Sequence, residues 1–256
     1  MQHTGLGRTF SVLFAAVVAA SVARAQDMYP SFAPDNMNTI MSSHIAGLSL
    51  KNVVRHNATK GSKTETRRGS RSASGSTVTP RTTTSYVPSA RIAAQVRDQS
   101  LAKIRAVSPA EADKTAVLLH KNDAATLWKN QTAAYGLQRN DLADAMTAHW
   151  IINYLLVNGL GEASPAAAQG ARNQIHRLLE TTPVLTRLSD SDKQTMTEKL
   201  YLSFLYQHAA LEQANKPGNA AQKAQLSTTA RAQFQKDMGI DLRTFTLTSA
   251  GFRQRS

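Results

Sequence analysis

Two stretches of the chain are apolar on every face. In LADAMTAHWIINYLLVNG, residues 142–159, a turn of about 100° per residue puts Leu142, Met146, Trp150, Leu156 and Val157 on one side of a helix, and Ile151, Tyr154 and Leu155 on the other. LYLSFLYQHAAL, residues 200–211, repeats the pattern: Leu200, Phe204 and Leu211 point one way, Leu202, Leu205 and Tyr206 the other. A helix that is apolar nearly all round is a buried helix. These two are therefore expected in the middle of a domain. A bilayer span needs about 20 predominantly apolar residues; the run 142–157 is shorter and is interrupted by Asp144, His149 and Asn153.

The flanking sequence is punctuated as helices. Ile92, Val96 and Ile104 lie on or near one face of a first helix. Ser108, Pro109 and Glu111 form a start signal: a cap, a proline in the first turn and an acid three residues after the cap. The helix or helix pair behind them carries Val117, Leu118, Leu119, Leu127 and Trp128, with Asp123 placed to break it and cap a second piece. Asn140 and Asp141 open the next helix and Asn158-Gly159 closes it. Ser164-Pro165 opens another, striped with Ile175, Leu178 and Leu179. Ser189 and Asp192 start a long one, and a last runs from about Asn219 to Met238-Gly239. About six helices in succession, joined by short loops, predict one all-α, bundle-like domain over residues 89–252. The tail alternates at Leu242, Phe245 and Leu247. With no partner strand in view, it is expected to be an extended segment laid on the bundle.

The pattern is different upstream. Residues 55–88 are rich in Ser, Thr, Gly and Arg, with Val78, Tyr86 and Val87 as the sizeable apolar residues. Such a stretch cannot offset an ordering cost of about 1–2 kcal/mol per residue, so a disordered linker is expected. It is strongly basic, densest at Arg67, Arg68 and Arg71, with Glu65 as its one acid. Residues 26–54 hold a proline-broken start and then Met37, Met41, Ile45 and Leu48 at helical spacing, a short amphipathic helix. Residues 1–25 read as a cleavable signal peptide. Arg8 precedes the apolar run FSVLFAAVVAA, and Ala23 and Ala25 stand at the positions a signal peptidase inspects, so cleavage falls before Gln26. The expected location is periplasmic or secreted, with no transmembrane span once the signal is gone.

Composition narrows the chemistry. The 256 residues carry 30 Lys+Arg against 17 Asp+Glu, a net of +13. Such a balance favours an anionic envelope component or an acidic protein as partner, with nucleic acid ranked below them. Zero cysteines exclude disulfides, Cys-ligated zinc, iron–sulfur clusters, c-type haem and a thiol nucleophile. His-Glu-x-x-His, Glu-x-x-His, the G-x-S-x-G elbow, the Walker loop and G-x-G-x-x-G are all absent. Glu111, Glu162, Glu180, Glu198 and Glu212 are read as solvated acids at helix ends or on polar faces. GLGEAS, residues 159–164, reads as one helix end followed by the next start. No catalytic residue, metal or cofactor is expected. His149 and Asn153, one turn apart within an apolar face, must find partners or cost about 1–3 kcal/mol. A mutual or cross-helix hydrogen bond that fixes register is the expected role; the polar floor of a ligand pocket is a second reading. A metal site is a third, for which no carboxylate or second His lies at i+3 or i+4 from His149.

The layout of signal peptide, low-complexity linker and helical domain, with DLADAMTAHWIINYLLVNG and the closing GIDLRTFTLTSAGF, resembles an uncharacterised family of proteobacterial exported proteins of unknown function, over about residues 88–252. The resemblance implies an exported location and a helical fold, and carries no activity. The expectation is a non-enzymatic protein that binds or scaffolds in the cell envelope, its basic arm contacting anionic surfaces. Two other readings stand beside it: an envelope enzyme acting on cell-wall glycan, and a small-ligand carrier with a cavity around His149 and Asn153.

Overall fold

The computed structural model describes residues 84–180, 182 and 187–255. The signal-peptide pattern with Ala23, Ala25 and Gln26, the amphipathic stretch within 26–54 and the basic cluster Arg67, Arg68 and Arg71 lie outside the described residues. Within them the chain forms seven α-helices: α1 (Ala90–Val107), α2 (Pro109–Lys121), α3 (Ala124–Gln131), α4 (Leu142–Asn158), α5 (Pro165–Glu180), α6 (Asp190–Ala214) and α7 (Ala220–Met238). Short 3-10 turns cover Ala133–Tyr135 and Leu242–Thr244, and the chain closes with β1 (Phe245–Thr248) and β2 (Gly251–Gln254). The domain is thus all-α apart from this hairpin.

Local chemistry sets the helix boundaries. Asp141 caps α4 by accepting from the N–H groups of Ala143 and Asp144, and Gly159 ends it in the left-handed conformation at φ 64°. Asp123 caps α3 through the Thr126 N–H, and Ser189 caps α6 through the Asp192 N–H. Ser108 stands at the cap of α2 before Pro109, but its side chain makes no capping bond there.

α4 is the axis of the domain. Every residue from Leu142 to Val157 is buried. It packs against α5, α6 and α7, while α1 and α3 pack on the outer side of α6 and α2 packs on α1. Aromatic rings join the layers. Trp128 of α3 lies on Tyr201 of α6 with centroids 4.5 Å apart. Trp150 of α4 meets Phe234 of α7 edge-on at 5.3 Å and Phe252 of β2 at 5.7 Å. Among the residues expected in the core, Val117 is the exception: it is exposed on α2.

Two segments differ from the sequence reading. The tail is a hairpin. Phe245 pairs with Gln254 and Thr248 with Gly251, leaving Ser249-Ala250 as the turn. The partner strand lies within the same short tail, and Gly251 takes the positive φ (93°) that lets the chain re-enter it. Residues 84–88, which composition places in the linker, lie against the helices. Tyr86 N–H donates to the Asn140 carbonyl at 3.1 Å, and Leu142 N–H to the Thr84 carbonyl at 3.0 Å. Val87 N–H donates to Asp190 and the Thr84 hydroxyl to Asp141, while the Tyr86 ring is buried.

Candidate functional site

His149 and Asn153 are both buried in α4. The Asn153 amide donates to the His149 carbonyl at 2.8 Å and to Gln207 Oε1 at 3.2 Å. Gln207, on α6, donates back to Asn153 Oδ1 at 3.0 Å. This reciprocal amide pair links the two central helices. The His149 ring stacks against Phe234 at 6.1 Å, and burial pulls its pKa down to about 4, so it is neutral at pH 7. Neither of the two cavities described below includes His149 or Asn153.

A charged cluster that sequence reasoning missed joins α4 to α5. Asp144 is fully buried. Its Oδ1 accepts from Arg172 Nε and His176 Nε2, each at 2.7 Å; its Oδ2 accepts from the Gln138 N–H at 2.7 Å and Arg172 Nη2 at 3.1 Å. Burial pushes this carboxyl up, but the bonds from His176, Arg172 and Gln138 outweigh it and hold the pKa below its ordinary value. Donor atoms of Asp141, Asp144 and His176 all lie within 4.8 Å of one another, which is metal-ligand spacing. The four bonds already fill the acceptor sites of Asp144, however, and Arg172 supplies the positive charge a metal would bring. The cluster therefore works as a clamp between helices. Its sequence signal was an aspartate inside an otherwise apolar helix, answered by Arg172 and His176 one turn apart on α5.

A site with room for a ligand is a cavity of about 690 Å³ on another side of α4. Its apolar wall is Ile151, Ile152 and Leu155 of α4 with Phe204 and Leu211 of α6. The α4–α5 connection adds Gly161, Glu162 and Ser164, and Gln131 and Tyr135 close another side. His208 and Glu212 face it from α6, one turn apart, with His208 Nδ1 3.9 Å from a Glu212 oxygen. The His208 ring stacks on Phe204 at 5.5 Å. Burial pulls its imidazole below the ordinary value, against the opposing pull of Glu212. Among the described residues no Lys or Arg lines the cavity. The volume falls in the range of pockets that take small organic ligands, about 300–1,000 Å³.

Two of the glutamates read as solvated are otherwise placed. Glu198 is buried on α6, where burial raises its carboxyl above the ordinary value despite the Gln194 amide at 3.2 Å. Glu111 is buried too, with Lys114 at 2.9 Å from one oxygen. Glu162 and Glu212 line the cavity. GLGEAS holds one of its walls as well as a helix end and a helix start. The signal for the site was His208 and Glu212 at i,i+4 on a helix otherwise read as central.

No helix among the described residues is long and apolar enough to cross a membrane. Searches against curated proteins and solved structures found no match. One family model does match, over residues 8–255, a wider span than the motifs of the helical domain alone. The chain belongs to DUF6683, a family of unknown function.

Proposed function

We propose that the protein is exported and works by binding in the cell envelope, and that its helical domain holds a small amphipathic amine in the cavity between α4, α6 and the α4–α5 connection. The observation that carries this is the lining: an apolar wall of aliphatic side chains and Phe204, with Glu162 and Glu212 and no Lys or Arg among the described residues, in a chain of net charge +13. A cationic head would pair with the carboxylates and its alkyl part would cover the wall. His208, neutral at pH 7 with its depressed pKa, can accept an N–H. The pattern of residues 1–25 supports export, and the basic stretch 55–88 supports contact of the arm with anionic surfaces. The test is calorimetry with octylamine, octanol and octanoate. Octylamine is expected to bind best, and Glu212→Gln with Glu162→Gln to weaken it about tenfold, one charge-assisted bond's worth. Equal binding of all three probes, or of none, rejects the reading.

The glycan-hydrolase reading is favoured by one observation: two carboxylates, Glu162 and Glu212, line the same cavity. Release of soluble fragments from purified cell wall, lost in Glu162→Gln or Glu212→Gln, would establish it in place of the amine site.

A further inference from the structure

A second concavity, an open groove of about 440 Å³, lies beside the end of α4 and shares no lining residue with the cavity. Lys223, Arg243 and Arg255 line it, and among the described residues no Asp or Glu does. They come from three elements: the first turn of α7, the 3-10 turn after it and the end of the hairpin.

Among the described residues, the side-chain hydrogen bonds of the two arginines go to neutral groups. Arg243 Nη2 reaches the Ser227 hydroxyl at 3.4 Å. Arg255 donates from Nε to the Phe245 carbonyl at 3.0 Å and from Nη2 to Asn158 Oδ1 at 3.2 Å. The acid whose ionisation responds to Arg243 is Asp241, and Arg231 already holds both its oxygens. The Lys223 stem passes over Gly159, where an added Cβ would sit 3.6 Å from its Cε.

The end of α4 explains part of this charge. A helix C-terminus carries about half a negative charge, enough to favour one cation. Three converge here. The start of α7 adds N–H groups without a side-chain cap, because the Asn219 amide is turned to the Gln213 carbonyl instead. Convergent guanidinium and ammonium groups, with no carboxylate among the described lining residues, are the chemistry of phosphate recognition.

We infer that this groove binds a phosphate-class anion, a phosphomonoester or phosphodiester whose oxygens are received by Lys223, Arg243 and Arg255. The test uses the full chain carrying Arg67→Ser, Arg68→Ser and Arg71→Ser, which removes the densest charge of the basic arm. Inorganic phosphate is titrated by calorimetry at ionic strength held constant with chloride. Saturable binding is expected, about tenfold weaker in Lys223→Gln and in Arg243→Gln, and less affected by Arg243→Lys. Both positions are solvent-accessible, and circular dichroism checks that each variant is folded. The same proteins are floated with vesicles of one part phosphatidylglycerol to three parts phosphatidylcholine, and with phosphatidylcholine alone. Retention on the anionic vesicles that phosphate competes away and Arg243→Gln weakens makes a lipid headgroup the source. Saturable phosphate binding without such retention makes it a soluble phosphate. No saturable binding to phosphate or vesicles, or binding that survives the combined Lys223→Gln, Arg243→Gln and Arg255→Gln variant, overturns the inference. The amine titration reads a separate site, so either proposal can fail alone.

Discussion

At the scale of single residues, the Asn153–Gln207 pair shows how a polar group is tolerated at the centre of the molecule. Each amide satisfies the other across the α4–α6 interface. Asn153→Leu leaves Gln207 buried and unpaired, at an expected cost of about 1–3 kcal/mol in urea unfolding. Adding Gln207→Leu should recover most of it, because both partners are then apolar; strictly additive losses would show that the pair is not coupled. His149 makes stability depend on pH. The unfolded imidazole takes a proton near 6.5, the folded one near 4. Between those values the unfolded state holds more protons, so stability is complete above about 6.5 and is lost as the pH falls toward 4. The contribution is on the order of 3 kcal/mol at a shift of this size. His208, also depressed by burial, acts in the same direction. His149→Gln should therefore narrow, without closing, the gap between urea midpoints at pH 7 and pH 5.

At the scale of elements, the hairpin is docked by backbone proximity. A Cβ at Gly170 of α5 would stand 2.3 Å from the Ser249 carbonyl oxygen and 2.5 Å from the Gly251 nitrogen. Gln174, one turn on, accepts from the Phe252 N–H at 2.8 Å and donates to its carbonyl at 3.1 Å, as a neighbouring strand would. Gly170→Ala gains about 1 kcal/mol of helix propensity. It also pushes the turn outward, so a net loss of about 1–3 kcal/mol is expected, with a change in Trp150 fluorescence as Phe252 moves. Unaltered stability and emission would mean that the turn yields freely. This docking could not be read from the chain. The helices could, because their signals are local: a capping oxygen, a stripe of apolar residues, a glycine at the end. The hairpin escaped notice because its strands are four residues each and the turn is Ser249-Ala250. The Asp144 clamp and the cavity depend on side chains from different elements, which periodicity along one element does not bring together.

At the scale of the whole molecule, charge is sorted around one connection. Among the described residues, Gly161 to Ser164 wall the cavity that bears glutamates and no Lys or Arg, while Asn158 and Gly159 edge the groove that bears cations and no acid. The central helix between them has a dynamic consequence. Water reaches a helical amide only when the bond that holds it opens. α4 is buried from Leu142 to Val157, so the amides of its body can meet solvent only when the surrounding helices part together. In heavy water, amides in the body of α4 should exchange last, at the rate set by global unfolding, while those of α2, with Val117 exposed, should exchange sooner through local fraying. Exchange in α4 as fast as in α2 would show that the domain breathes through its own axis.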